Sequence, residues 1–415
     1  MKTASTLTNS PLVIKKLLQS SLGRCLFLLV CLGGLAALAL PACGVSTSVK
    51  ATPTATATPI PSPTPVPTPT PTWSVAPTRP VVLPQDEGPH ETPIEWWYFN
   101  GHLNDEAGNQ YSFHYVTFEL IAPDGTTARL LQLSWADHNQ GGYLTDERLS
   151  VAKASEGALP GEGQSEGRFD FQVSGWAMHG DGRNYQLAFD AREYSLELQA
   201  KSTKPAALHL GTGLVDMGAA GETYYYSRTH LETLGTLTVN GETRGVTGTA
   251  WMDHQWGDSG TAVEVGWDWV SLHLDDGSEL MVSLVWDAKN RQPIVGYGTY
   301  VPPLRDGGGT TAEAVHIPGQ EIKLVTTGSW TSPANGGVYP MGWELEINSM
   351  PLSLTLTPVQ QDAEFANSSY IPVSYWEGAV SVGGNKDGEK ISGKGFVELV
   401  GYAPRSEDFS PAPAR

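Results

Sequence analysis

From residue 90 to about residue 405 the sequence is a succession of short segments rich in Val, Thr, Tyr, Phe and Trp, and this patterning directs the chain to β-structure. Examples are IEWWYFNGHL (94–103), QYSFHYVTFEL (110–120), ARLLQLSW (128–135), EYSLELQA (193–200), VEVGWDWVSLHL (263–274) and KISGKGFVELVGY (390–402). Turn dipeptides separate such segments: Asp124-Gly125, Asn240-Gly241, Asp276-Gly277, Asp306-Gly307 and Asp387-Gly388. No stretch past residue 90 keeps a helical apolar period over three turns. The expected class is all-β, and so many short strands point to antiparallel barrels or sandwiches.

An internal echo divides this region in two. Trp96-Trp97-Tyr98 leads into His102-Leu103-Asn104-Asp105 and then Gly108, while Trp267-Asp268-Trp269 leads into His273-Leu274-Asp275-Asp276-Gly277. Each half opens with an aromatic strand that reaches His-Leu and a polar hairpin turn. The expected domains are 90–259 and 260–405, with a tail at 406–415.

The segment before residue 90 differs in kind. Arg24 precedes an apolar run from Cys25 to Leu40, too short for the ~20 residues of a membrane span and suited to the core of a signal peptide. It closes in Leu40-Pro41-Ala42-Cys43-Gly44, small residues before a cysteine, as in a bacterial lipobox. Residues 1–42 are read as a lipoprotein signal and Cys43 as the lipidated first residue. Residues 43–89, dominated by alternating Pro and Thr, are read as an extended spacer that cannot bury apolar area. The expected location is extracytoplasmic, anchored to the membrane through Cys43.

Charge and cysteine usage exclude other classes. The net charge is -19, and the basic residues Lys2, Lys15, Lys16 and Arg24 all fall within the cleaved segment, so the mature chain is more acidic still. Such a surface repels phosphate backbones, which excludes a nucleic-acid partner. The three cysteines are Cys25, Cys31 and Cys43, so neither an intradomain disulfide nor a cysteine zinc site fits the region beyond. HExxH and phosphate-loop motifs are absent from the sequence. His102, His114, His138 and His254 lack H-x-H or carboxylate spacing, so no metal and no cofactor is expected.

Alternation puts Glu95, Trp97 and Phe99 on one face of their strand, and Trp96, Tyr98 and His102 on the other. Val265, Trp267, Trp269 and His273 share a face. Two readings stay open. The rings fill barrel cores, or they line an apolar ligand cavity, with Trp97, Trp256, Trp267 and Trp269 as contacts. The densest polar cluster is Trp251-Met252-Asp253-His254-Gln255-Trp256-Gly257. Asp253 and His254 there are either a structural pair at a corner or an acid and its orienting partner in a dry site.

With these residues in view, the chain resembles the CrtC/AttH-like family, relatives of carotenoid 1,2-hydratase. The matching pieces are Glu91 to Gly101 (ETPIEWWYFNG), Gly248 to Gly257 (GTAWMDHQWG), Tyr375 to Ala379 (YWEGA) and Gly395 to Tyr402 (GFVELVGY). The resemblance implies two lipocalin-like barrels in tandem. In the family's hydratases a His-x-Trp pair and a downstream Tyr-x-Asp are implicated in activity. His254 and Trp256 match the first and Asp287 the aspartate, with Val285 where the tyrosine would stand. The implied chemistry is protonation of a C=C bond by Asp287 or Asp253, with Trp rings stabilising the cation and His254 orienting the acid or the water.

The leading expectation is a tethered lipoprotein that binds an apolar, isoprenoid or lipid-like ligand in a Trp-lined cavity. One alternative is a hydro-lyase of the carotenoid 1,2-hydratase kind. The other is a glycan-binding surface module.

Overall fold

In a computed structural model of the 415-residue chain, the described residues are 79–153, 167–259, 264–304 and 313–404. The signal segment, Cys43, the spacer up to residue 78, the Asp306-Gly307 turn and the tail 406–415 lie outside them. Strands dominate, as the residue pattern demands, and among the described residues there is no α-helix.

The first half contains β1 (Ile94–Asp105), β2 (Gln110–Ile121), β3 (Thr127–Asp137), β4 (Gly142–Ala152), β5 (Phe169–Val173), β6 (Trp176–Gly180), β7 (Asn184–Ala191), β8 (Tyr194–Ser202), β9 (Ala207–Leu208), β10 (Leu214–Asp216), β11 (Gly221–Val239) and β12 (Glu242–Ser259). The second contains β13 (Val265–Leu274), β14 (Glu279–Asp287), β15 (Pro293–Val301), β16 (Val315–Pro318), β17 (Ile322–Thr331), β18 (Val338–Ile347), β19 (Leu352–Pro358), β20 (Glu364–Phe365), β21 (Tyr375–Lys386) and β22 (Glu389–Val400). They form two curled antiparallel sheets, ordered β4-β3-β2-β1-β12-β11-β8-β7-β6-β5 and β16-β15-β14-β13-β22-β21-β19-β18-β17. These are tandem lipocalin-like barrels.

The two orders are the same plan used twice: in each half the first strand pairs with the last, and the next three strands follow outward. The sequence echo marks this duplication, since Trp96-Trp97-Tyr98 lies on β1 and Trp267-Asp268-Trp269 on β13. Two glycines repeat it. A Cβ on Gly248 of β12 would fall 1.9 Å from the His102 carbonyl oxygen, and one on Gly393 of β22 would fall 2.3 Å from that of His273. Only a residue without a side chain lets the first and last strands approach so closely.

Alternation sorts the side chains. Trp97 and Phe99 point into the first barrel with Trp135, Phe171 and Trp176, all fully buried. Trp343, Trp376, Leu345 and Leu354 fill the second barrel. Both lumens are thus packed with side chains. The opposite faces do not meet solvent. Tyr98, Tyr225 and Trp251 of the first barrel pack against Trp269, Met281 and Phe396 of the second, forming an apolar seam.

Polar groups lock the seam. Buried Lys204 donates to Glu279 Oε2 at 2.6 Å and to the carbonyls of Gly277 and Pro302 at 2.6 and 3.0 Å. His209 spans from Ser227 Oγ at 2.8 Å to Thr299 Oγ1 at 2.9 Å.

Residues 79–89, expected as the end of the spacer, belong to the first barrel. The Val81 N–H donates to the Thr212 carbonyl at 2.9 Å, and Glu87 is completely buried. Glu87 receives Tyr226 Oη at 2.8 Å, Tyr185 Oη at 3.3 Å and the Arg228 guanidinium. Proline-rich composition hid this, because one buried carboxylate leaves no periodic signal.

Candidate functional site

The TAWMDHQWG stretch lies along β12. Strand alternation sends Met252, His254 and Trp256 toward the first barrel's lumen, and Trp251 and Asp253 toward the seam. Asp253 and His254, expected to act together, therefore occupy different compartments. A two-residue period permits no other outcome for neighbours on a regular strand.

On the seam side, Asp253 is buried among three donors. Tyr225 Oη lies 2.6 Å from Oδ2 and Trp251 Nε1 2.6 Å from Oδ1, which also receives the Ser227 hydroxyl. Burial pushes the Asp253 carboxyl up to about 6, and the three donors keep it from rising further. Trp269 Nε1 donates to Tyr225 Oη at 2.9 Å, so both barrels hold this network.

The duplication brings two more acids to the same place. Asp253 stands opposite Tyr98 in the β1–β12 ladder, and Glu398 stands opposite Trp269 in the β13–β22 ladder. Glu377 of β21 sits beside Glu398 in register. Tyr98 Oη crosses the seam to donate to Glu377 Oε1 at 2.8 Å. Asn100 Nδ2 holds that hydroxyl at 3.0 Å and also reaches Ser271 Oγ at 3.1 Å. Glu377 Oε2 is buried without a hydrogen-bond partner. Glu377 also lines an enclosed space of about 10 Å³ with Ser112, His138 and Tyr143, close to the room one water needs. Burial, reinforced by the charge of Glu398, pushes the Glu377 carboxyl well above its usual range. Burial likewise pushes Glu398 up to about 7, against a hydrogen bond from Trp267. Burial holds the neighbouring His114 neutral, down to about 3.

These shifts have a signed consequence. A carboxyl raised in the folded state contributes stability at low pH and loses it as pH rises through the folded value. Glu398→Gln cannot titrate. Its stability relative to the natural chain is expected to grow by up to about 3 kcal/mol between about pH 4.5 and about pH 7, then level off. Urea melts of both chains across pH check this, and a difference independent of pH would contradict it.

On the lumen side lies a second polar cluster. His254 Nε2 is 2.6 Å from Glu95 Oε1, and His90 Nδ1 is 2.7 Å from the same oxygen. The His90 backbone N–H donates to Glu95 Oε2 at 2.7 Å. His254 Nδ1 lies 3.1 Å from Tyr226 Oη. The imidazoles are clamped by rings: His90 stacks on Trp256 at 4.1 Å and His254 on Trp97 at 4.5 Å. Burial would lower His90, but the charge of Glu95 and hydrogen bonds donated to Asp86 and Glu95 raise it to about 9. Burial would raise Glu95, but both imidazoles hold its carboxyl below the usual range. Burial lowers His254. His90, Glu95 and His254 are the residues here with donor atoms close enough together to share a metal ion.

The expected site residues thus divide three ways. Asp253, Trp267 and Trp269 belong to the seam. His254, Trp97 and Trp256 belong to the first lumen, where Trp97 is fully enclosed as packing rather than facing open space. Asp287 joins neither cluster. It ends β14, and its Oδ1 accepts the backbone N–H groups of Lys289 at 2.8 Å and Asn290 at 3.2 Å, capping a turn. Beyond it, an open cleft of about 540 Å³ runs along Trp286, Arg291 and Tyr402, with Arg291 stacked 3.9 Å over the Trp286 ring.

Glu377, Glu398, Tyr98, Tyr225, Glu95 and Glu87 were not singled out in the sequence. A signal existed for two of them: Glu377 and Glu398 each interrupt a run of apolar or small residues, YWEGAVSVGG and GFVELVG. An acid at such a position is expensive to bury and therefore worth marking.

The AttH-like family model matches residues 74–402 of the chain. The crystal structure of a candidate AttH protein from Nitrosomonas europaea superposes with a TM-score of 0.68 at 28% identity, covering 80% of this chain and 100% of that one. Kievitone hydratase from Nectria haematococca superposes with a TM-score of 0.60 at 17% identity, covering 77% of this chain and 93% of that one, a likeness of fold. A search of curated proteins finds no match to this sequence.

Proposed function

The chain belongs to the AttH-like family, and from that premise we propose that its inter-barrel seam is an acid site that adds water to a carbon–carbon double bond of an apolar, isoprenoid-like substrate. The observation that carries the reading is Glu377: a buried carboxyl with one oxygen held by Tyr98 and the other unpartnered beside a water-sized space.

Acids whose surroundings push them apart take different roles. Burial and the charge of Glu398 push Glu377 well above the usual carboxyl range, which favours its protonated, proton-donating form. Asp253, at about 6 and held by three donors, is ionised there. Glu377 delivers its proton to one carbon of the double bond, leaving a carbocation on the other. Water then attacks the cation and loses a proton to the ionised Asp253. Proton transfer among the acids restores the starting state, and the net change is gain of one water. The faces of Trp267 and Trp269 stabilise the cation by up to about 2 kcal/mol each in a desolvated seam. Trp96 and Trp267, only partly buried, form the edge by which a substrate enters. Lipid attachment at Cys43 and display outside the cytoplasmic membrane complete the proposal.

Packed lumens favour this reading over a carrier that holds its ligand inside a barrel. The test is incubation with an acyclic isoprenoid polyene such as lycopene, followed by mass spectrometry. A product heavier by one water is expected. Recovery of unchanged polyene bound to the protein would instead establish a carrier and overturn the hydratase reading.

A further inference from the structure

We propose that His90, Glu95 and His254 form a binding site for one divalent transition-metal ion, best matched to zinc, at the lumen side of β12. This site is separate from the seam and does not depend on the hydratase reading.

The argument is an account of protons. Tyr226 has one hydroxyl hydrogen, and it is donated to Glu87 Oε2 at 2.8 Å, the carboxyl that pairs with Arg228. The Tyr226 oxygen can then only accept from His254, so His254 carries its hydrogen on Nδ1. That leaves the Nε2 lone pair facing Glu95 Oε1 at 2.6 Å. His90 turns its Nε2 toward Asp86 Oδ1 at 3.5 Å, a carboxylate paired with Arg79 at 2.6 Å, and its Nδ1 toward Glu95 at 2.7 Å. Two imidazole nitrogens and a carboxylate oxygen thus converge. Either two protons or one doubly charged cation must sit among them.

Histidines that hold metals usually commit the other ring nitrogen to an acceptor, which sets the tautomer and the ring angle. Both histidines here are wired in this way, His90 to Asp86 and His254 through Tyr226 to Glu87. Two imidazoles and one carboxylate are a donor set suited to zinc, with a fourth position for water. The donors lie 2.6 and 2.7 Å apart, against about 3.3 Å for neighbouring ligands around a tetrahedral zinc, so they must part by about 0.6 Å. His90 lies outside the strands, on the segment before β1, and can supply that movement.

The test uses the natural chain, stripped with a chelator and titrated with zinc by calorimetry, then with cobalt while visible ligand-field bands are recorded. One ion per chain is expected, with a dissociation constant of about 1 µM or tighter and cobalt bands of a low-symmetry nitrogen–oxygen site. His90→Ala and Glu95→Gln are each expected to weaken uptake at least ~10-fold. Failure of the natural chain to take up either ion at ~100 µM overturns the proposal. So does uptake with unchanged affinity in His90→Ala or, should that variant misfold, in His90→Asn. Loss of polyene hydration with intact metal binding would count against the seam alone.

Discussion

Glu377→Gln is expected to lower the rate of water addition by about 10²- to 10⁴-fold while leaving the melting temperature at neutral pH unchanged or higher. The amide keeps the shape of the acid and its contact with Tyr98 but cannot give up a proton to carbon. Stability should not suffer, because a carboxyl raised in the folded state costs stability at neutral pH, and the amide, which does not titrate, carries no such cost. This separates the result from ordinary misfolding. The pH profile carries a second signature. Hydration needs Glu377 protonated and a seam carboxylate ionised, so the rate of the natural chain should rise as Asp253 ionises around pH 6 and fall at higher pH as Glu377 loses its proton. A Gln variant that retains the rate within about threefold would remove Glu377 from the chemistry.

The second large effect concerns a residue that composition assigns to the spacer. Glu87→Ala should destabilise the fold by about 3–5 kcal/mol, the cost of leaving a buried charge without its partner. The orphaned group is the Arg228 guanidinium, itself almost wholly buried. Tyr226 loses its acceptor at 2.8 Å and Tyr185 its acceptor at 3.3 Å. Arg228→Met made together with Glu87→Ala should recover much of the loss, because removing both charges also removes their desolvation cost. Urea melts of the single and double variants measure this coupling. A Glu87→Ala chain as stable as the natural one would return residues 79–89 to the role of mere spacer. A chain shortened to begin at residue 90 should lose at least as much, since the Trp97 indole also donates to the Glu87 carbonyl at 3.3 Å.

Much of the fold was legible because it rests on local rules. A period of two, β-branched and aromatic enrichment and the four turn dipeptides among the described residues identify antiparallel strands one segment at a time. The Asn240-Gly241 turn joins β11 to β12 with positive φ at both residues, 51° and 85°, as a tight hairpin requires. The strand face of Trp97 and that of Trp96 and Tyr98 were readable in the same way. A strand with weaker enrichment, β4, escaped, because its pairing partner rather than its own residues holds it in the sheet.

The site was legible in part. The DHQW motif marked a place where chemistry-bearing residues collect, yet Asp253 and His254 serve different clusters. Asp287 was named through the resemblance to the family's Tyr-x-Asp piece, and such a match carries no information about a turn that folds the carboxylate back on its own backbone.

From the residues alone came the class of structure, the twofold repetition and the aromatic faces, all consequences of side-chain alternation and turn chemistry within a few residues. Tertiary structure alone decided that the outward faces of the two barrels meet, bringing Asp253 into one dry seam with Glu377 and Glu398, which lie more than a hundred residues further along the chain. It also decided that His90 and Glu87 reach back into the first barrel. Burial of charge depends on what covers a group from every side, and no local pattern records the cover.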